Sequence, residues 1–124
     1  MNNESLILRR KKQIEKDRFF YVNSEYKTVQ IKLDDILYVM GQKDYIKIYI
    51  KGKAKPVMCL MNMSTLEEYL PSPEFLRIHR SYLIHIKEVT MFDRSRAKFG
   101  DTFIPISDSY KGTIQDYIEE HSMM

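Results

Sequence analysis

Residues 45–50 read Tyr-Ile-Lys-Ile-Tyr-Ile, a strict alternation of apolar and more polar side chains. Because successive side chains of a β-strand point to opposite faces, this order places three isoleucines on one face and Lys47 with two tyrosines on the other. Residues 27–32, Lys-Thr-Val-Gln-Ile-Lys, alternate in the same way. Both segments predict half-buried strands and indicate a fold that is mainly β.

Short strands and turns continue on both sides of this segment. Residues 18–22 are aromatic and β-branched, and residues 36–40 form a continuous apolar run. Gly41–Asp44 predicts a hairpin loop, and Gly100-Asp101 predicts a tight hairpin turn. The alternation breaks at residues 33–35, which predict a single helical turn. The later predicted strands are Glu88–Phe92, Arg96–Phe99 and Thr102–Ile106.

Two helices interrupt the strands. Ser64 and Glu67 have the spacing of a capping box, which predicts a helix over Ser64–Leu70. Apolar residues at helical spacing predict a second helix over Ser107–Glu120. Because no strands and helices alternate as βαβ units, a doubly wound parallel sheet is not expected. The predicted fold class is β-rich α+β, with small antiparallel sheets and two short helices.

The chain has 124 residues, enough for one domain with a modest core. We expect a charged lead-in or linker at residues 1–17, helical or flexible, a domain at residues 18–120 and a tail at residues 121–124. No apolar stretch is long enough to span a membrane. The single cysteine, Cys59, excludes an internal disulfide and predicts a cytoplasmic protein.

Charge is spread unevenly along the chain, although the formal net charge is only +3. Residues 43–55 hold five lysines against one aspartate, and residues 77–98 hold six basic against two acidic residues. Residues 107–124 hold one lysine against four acidic residues. If the two basic segments lie side by side, the protein has a positive face suited to DNA. The alternative is solvated lysines that protect exposed strand edges.

Catalytic and metal-binding patterns are missing from the sequence. The three histidines have no metal-ligand spacing with one another or with Cys59, and Asp34-Asp35 is read as a turn. There is no glycine-rich phosphate loop and no nucleophile elbow. We therefore expect no enzymatic activity, no metal and no cofactor.

Residues 75–85 read Phe-Leu-Arg-Ile-His-Arg-Ser-Tyr-Leu-Ile-His. Arg80 has no acidic residue near it in this run, which favours an outward arginine that binds a phosphate or a guanine edge. We expect Arg77 to have a structural or phosphate-facing role, and His79 to bond the backbone. His85 receives no role.

This run resembles the central signature of the LytTR family, the DNA-binding domains of bacterial response regulators of the LytR/AlgR type. The resemblance extends from about Phe19 to Ile118. It implies an elongated stack of small antiparallel sheets whose loops meet DNA. It also implies a transcriptional regulator of a two-component system that binds promoter direct repeats, with a receiver domain in a longer parent chain.

The resemblance and the side-chain chemistry together give the candidate DNA contacts. The base-reading candidates are Lys43, Asp44, Tyr45 and Arg80, and the phosphate candidates are Lys47, Ser81, Ser107, Ser109 and Lys111. One position departs from the family pattern, because Asp108 stands where many members carry arginine. The competing hypothesis is a β-rich protein-interaction module that pairs through an exposed strand edge and does not bind DNA.

Overall fold

The computed structural model describes the backbone of residues 3–123 and the side chains of residues 5–123. This part of the chain forms three α-helices and ten strands. The helices are α1 (Asn3–Asp17), α2 (Met63–Tyr69) and α3 (Lys111–Glu120). The strands are β1 (Phe19–Ser24), β2 (Lys27–Lys32), β3 (Ile36–Gln42), β4 (Tyr45–Ile50), β5 (Val57–Leu60), β6 (Phe75–His79), β7 (Tyr82–His85), β8 (Met91–Phe92), β9 (Arg96–Phe99) and β10 (Thr102–Pro105).

A five-stranded sheet with the order β5-β4-β3-β7-β6 forms the centre of the fold. β1 and β2 pair as a separate hairpin, and β8, β9 and β10 form a three-stranded sheet. Every strand pair in the described part of the chain is antiparallel. The prediction of a β-rich fold with small antiparallel sheets is confirmed.

Apolar clusters cover both faces of the central sheet. On the first face, Ile46 and Ile48 are fully buried and pack with residues of the β1–β2 hairpin, α1 and α2. On the second face, Tyr38 and Tyr49 stack with ring centroids 4.4 Å apart and pack with the three-stranded sheet and α3. Each fully buried aliphatic side chain contributes about 1.5–3 kcal/mol, so the central sheet is held firmly from both sides.

The lead-in was predicted to be either helical or flexible, and residues 3–17 form a helix. Met1 and Asn2 lie outside the described residues. Ile14 of α1 packs against the first-face cluster. The helix ends at Asp17, and the next residue, Arg18, adopts a left-handed φ of 66° and donates its N–H to the Ile14 carbonyl. This conformation is unfavourable for a non-glycine residue, so the ion pairs of the Arg18 side chain help to hold it.

The predicted capping box of α2 is wrong. The N-cap is Asn62, two residues before Ser64, and its side chain accepts a hydrogen bond from the Thr65 N–H at 2.8 Å. Asparagine caps a helix as well as serine does. Because Met63 is buried in the first-face cluster, packing draws it into the first turn and the helix begins earlier.

Two further boundaries differ from the prediction. The predicted strand Glu88–Phe92 is reduced to β8, because Ile86–Glu88 forms a 3₁₀ turn. The predicted helix Ser107–Glu120 divides into a 3₁₀ turn at Asp108–Tyr110 followed by α3. Ser107 itself stays extended, since its N–H donates to the carbonyl of Ile78 in β6 at 2.8 Å.

Candidate nucleic-acid interface

Two turns lie side by side at one end of the central sheet. Lys43-Asp44 joins β3 to β4, and Arg80-Ser81 joins β6 to β7. Because β3 pairs antiparallel with both β4 and β7, both turns lie at the carboxyl end of β3. The Gly41 N–H donates to the Ser81 carbonyl at 2.8 Å and ties them together. We call these four turn residues the open end.

The first turn presents its charged side chains to solvent. Lys43 and Asp44 are exposed, and Lys43 has a φ of 51°, which aligns the tight turn between the two strands. Tyr45 is half-buried, and its hydroxyl donates to the Gln42 side-chain oxygen at 2.8 Å. Gly41 lies against Met63 of α2, where a Cβ would come within 3.0 Å of the methionine Cε. The first turn is therefore supported by the packing of Gly41 against α2.

The second turn presents an arginine that has no carboxylate partner in the part of the chain that the structure describes. Arg80 is exposed, and its guanidinium makes no ion pair within residues 5–123. Its own carbonyl accepts from the Arg77 guanidinium. Ser81 is half-buried beside it. A free guanidinium offers planar donors that fit a phosphate or the O6 and N7 atoms of guanine.

The third predicted segment starts next to the second turn. The hydrogen bond from the Ser107 N–H to the Ile78 carbonyl places Ser107 beside β6. Ile78 itself lies two residues before Arg80 in the sequence. Ser109 is exposed, but Lys111 forms an ion pair with Asp108 at 2.8 Å. The Lys111 ammonium lowers the pKa of the Asp108 carboxyl. Because this pair already occupies the lysine, the segment offers less positive charge to a phosphate than its sequence indicates.

Lys47 lies away from the turns, within β4. It stands opposite Met40 in β3 and Met58 in β5 and is half-buried on the second face of the sheet. No carboxylate within residues 5–123 forms an ion pair with its ammonium group. The ammonium group of Lys47 is thus available to a phosphate. It lies on the second face of the sheet rather than at the open end.

Comparison with known proteins now identifies the fold and the family. A family model described as the LytTr DNA-binding domain matches residues 26–119. The chain belongs to the LytTR family. A solved LytTr DNA-binding domain, from a Bacillus cereus protein described as a methyl-accepting/DNA response regulator, has the same fold, with a TM-score of 0.68. The two share 12% identity, and the match covers 82% of this chain and 96% of that one. No curated protein sequence matches the chain significantly.

Family membership makes the chain a DNA-binding domain of the kind that acts in transcription regulation. All the candidate contacts lie inside the matched range. In the described part of this LytTR domain, no three histidine, cysteine or acidic side chains converge to hold a metal ion. Its described helices are all too short or too polar to cross a membrane.

The opposite end of the central sheet of the LytTR domain carries paired charges. Arg18 donates to both oxygens of Glu74 at 2.8 and 2.7 Å and to Asp34 at 2.6 Å. His85 is 1% exposed, with its Nε2 2.8 Å from Glu74 Oε2 and its Nδ1 2.8 Å from the Ile36 carbonyl. We call Arg18, Asp34, Glu74 and His85 the paired end.

The hydrogen bond from Arg18 is the main reason that the pKa of Glu74 falls to about 2, although burial of the carboxyl opposes this effect. The same guanidinium lowers the pKa of Asp34. These shifts mean that both carboxylates are bound as anions by the folded protein. No role was predicted for His85, and its position between two acceptors shows a structural one.

Two residues of the signature run have structural partners. The expected backbone bond of His79 is confirmed, since its Nδ1 accepts from the Ser81 N–H at 3.0 Å. Arg77 has the structural role that was one of its two predicted alternatives, with Nη1 3.0 Å from Glu67 Oε1. The local sequence predicts a capping role for Glu67, so its pairing with Arg77 could not be predicted.

Proposed function

We propose that this LytTR domain reads duplex DNA sequence with its open end. The observation that carries the proposal is the exposed guanidinium of Arg80, which has no ion-pair partner within residues 5–123 and lies on a turn that is tied to the Lys43-Asp44 turn. An arginine in this setting can bond guanine O6 and N7 together, and such a pair discriminates between bases by about 1–3 kcal/mol. A fixed spacing between the two turns gives a fixed spacing between the contacts.

The first turn supplies contacts of both signs. Lys43 can donate to guanine or to a phosphate, and Asp44 can accept from the amino group of cytosine. The Tyr45 hydroxyl already donates to Gln42, so it contributes to base reading as an acceptor from an adenine or cytosine amino group. Because the hydrogen bond from Gly41 to Ser81 holds the two turns side by side, they contact neighbouring base pairs of one major groove, and no recognition helix takes part.

Phosphate contacts fix the register of the domain on the duplex. We assign these contacts to Lys47, Ser81, Ser107, Ser109 and Lys111. Lys47 is the strongest of them, because its ammonium group forms no ion pair within the described residues. Lys111 contributes less than its charge implies, since it is paired with Asp108.

We further propose the biological setting. The domain at residues 18–120 acts in the cytoplasm as the output part of a two-component regulator and binds promoter direct repeats, with a receiver domain in a longer parent chain. Three facts support this: the family match, the single buried cysteine, and the response-regulator description of the Bacillus cereus protein. The proposed function is DNA recognition without catalysis.

Binding-site selection from random duplex DNA tests the proposal directly. We expect enrichment of repeated guanine-containing sites, and an affinity that falls steeply with salt because bound phosphates release counterions. A selection that enriches no sequence would contradict base reading, and a salt-independent affinity would contradict a phosphate-gripping surface.

One observation favours the alternative of a protein-interaction module. The edge strand β5 exposes Met58 and Leu60, and Leu60 retains 84% of its accessible surface. Tyr26, at the tip of the neighbouring β1–β2 hairpin, is fully exposed. An apolar contact at this edge would be insensitive to salt, so the same titration separates it from DNA binding.

A further inference from the structure

The turn that carries Arg80 is held mainly by side chains, with one backbone hydrogen bond to β3. A β-bulge at Ile78 interrupts the register of β6 with β7, so that Arg77 pairs with Leu83 while His79 pairs with Tyr82. A bulge leaves local backbone groups without their usual ladder partners. The carbonyl and amide groups that follow it therefore need other partners.

Arg77 supplies most of those partners. Its Nε donates to the His79 carbonyl at 3.0 Å, and its Nη2 donates to the Arg80 carbonyl. Its Nη1 donates to Glu67 of α2 at 3.0 Å, and only 16% of the arginine side chain is exposed. One planar guanidinium thus connects two consecutive carbonyls of the turn to a helix.

The other backbone groups of the turn are also fixed. The Ser81 N–H donates to His79 Nδ1, and the Ser81 carbonyl accepts from Gly41. Bonds from three elements therefore define the direction in which the Arg80 side chain leaves the backbone. A guanine edge accepts an arginine only in a narrow geometry, whereas a phosphate accepts a cation from many directions.

We propose that Arg77, anchored by Glu67, is a positioning residue that fixes Arg80 for base reading and thereby sets sequence discrimination rather than overall affinity. This inference rests on the proposed role of Arg80. The Glu67 carboxylate already balances the Arg77 charge. Arg77 thus acts through the turn and makes no phosphate contact of its own.

Arg77→Lys is the informative variant, because lysine keeps the charge and loses the planar donors that bridge two carbonyls. We expect the ratio of affinities for the selected duplex and a scrambled duplex to fall about tenfold. The affinity for the scrambled duplex and the salt slope should stay unchanged. Glu67→Ala should reduce the ratio in the same direction, and Glu68→Ala, an exposed neighbour on α2, should not.

Combining Arg77→Lys with Arg80→Ala separates positioning from direct contact. If Arg77 acts through Arg80, the double variant discriminates no worse than Arg80→Ala alone. All measurements are made below the onset of thermal unfolding of each variant, so a loss of stability does not imitate the effect. Additive losses in the double variant would overturn the proposal, because Arg77 would then touch DNA itself.

The Arg80→Ala variant also separates this inference from the proposed function. If Arg80→Ala loses discrimination and Arg77→Lys keeps it, the positioning role is wrong and base reading by Arg80 stands. If Arg80→Ala keeps full discrimination, base reading by Arg80 is wrong, and the positioning role fails with it.

Discussion

The two ends of the central sheet use charge in opposite ways. At the paired end, Arg18 and His85 lie 2.6–2.8 Å from the carboxylates that they bind. At the open end, Lys43 and Arg80 extend into solvent and form no ion pair within residues 5–123. The strands of the central sheet run from one end to the other. Whether a charged residue is paired or exposed therefore depends on which end of the sheet it lies at.

This difference separates residues that hold the fold together from residues that are free to bind a ligand. A cation whose carboxylate partner lies in the same chain contributes little to phosphate binding, because that ion pair would first have to be broken. A cation without such a partner carries its full charge to the duplex. Mutations at the paired end should therefore affect stability, and mutations at the open end should affect DNA binding.

The largest expected effect is on stability, from Glu74→Ala. Removing this carboxylate leaves Arg18 and the buried His85 without their shared partner. Breaking a buried pair costs about 3–5 kcal/mol, and we expect about 3 kcal/mol here because one-third of the Arg18 side chain is exposed to solvent. Urea denaturation measures the change.

Glu68→Ala is the matched control for stability. Glu68 is exposed on α2, and its replacement should change the free energy of unfolding by no more than about 0.5 kcal/mol. Equal unfolding midpoints for Glu68→Ala and Glu74→Ala would show that the paired end does not stabilise the fold.

The next largest effect is on DNA discrimination, from Arg80→Ala. We expect the selected duplex to lose about 1–3 kcal/mol of its advantage over a scrambled duplex, with no change in unfolding free energy beyond about 0.5 kcal/mol. Lys47→Ala should weaken both duplexes alike, since phosphate contacts position without specifying. Fluorescence anisotropy measures the affinity of each variant for both duplexes. An equal loss on both duplexes for Arg80→Ala would mean that Arg80 contacts the DNA backbone and not the bases.

Acid should weaken the paired end. The folded-state pKa of Glu74 is about 2, below its ordinary value of 4.5, so the anion is stabilised by folding. This stability is fully present above about pH 4.5 and is lost as the pH falls towards 2. Glu74→Gln should flatten the dependence of the unfolding midpoint on pH in this window.

A residual slope should remain in Glu74→Gln, because the pKa values of Asp34, Asp93 and Asp108 are lowered as well. DNA affinity of this variant at neutral pH should match that of the wild type. A wild-type protein with no loss of stability between pH 4.5 and 2 would contradict the role given to the Glu74–Arg18 pair.

The smallest expected effect comes from Asp108→Arg, which converts a paired cation, Lys111, into one without this carboxylate partner. The substitution removes the partner of Lys111 and adds a second cation beside it. We expect tighter DNA binding and a salt slope steeper by up to about one unit for each new phosphate contact. Asp116→Arg, an equal charge change at an exposed position of α3, is the control. Identical slopes for the two variants would mean that Asp108 faces away from DNA.

Local patterns predicted much of this protein. Alternation at residues 45–50 and 27–32 predicted β4 and β2, because a strand has a period of two and a buried face selects apolar residues. The turn at Gly100-Asp101 followed from residues that favour tight turns. The hairpin loop predicted at Gly41–Asp44 is shorter, because Gly41 and Gln42 pair within β3 and leave only Lys43-Asp44 in the turn. The residue types of the candidate site also came from local sequence, although their contacts with DNA stay predictions.

Boundaries were harder to predict where the core competes with a local signal. The sequence offers a good capping box at Ser64, yet burial of Met63 moves the start of α2 to an earlier cap at Asn62. Ser107 was predicted to begin the last helix, but its bond to Ile78 keeps it extended. Contacts between distant segments outweighed a local preference worth about 1 kcal/mol.

The sequence by itself determined most of the strands and turns and the exposed basic residues Lys43 and Arg80, because each depends on neighbours within a few positions. Only the tertiary structure decided which charges are paired. Glu74 lies 56 residues from Arg18, and His85 lies 49 residues from Ile36. Such pairs form when the sheet brings distant segments together, and their energy depends on distance and burial rather than on sequence spacing. For that reason Arg77 pairs with Glu67, whereas Arg80, three residues further along, forms no ion pair within the described residues.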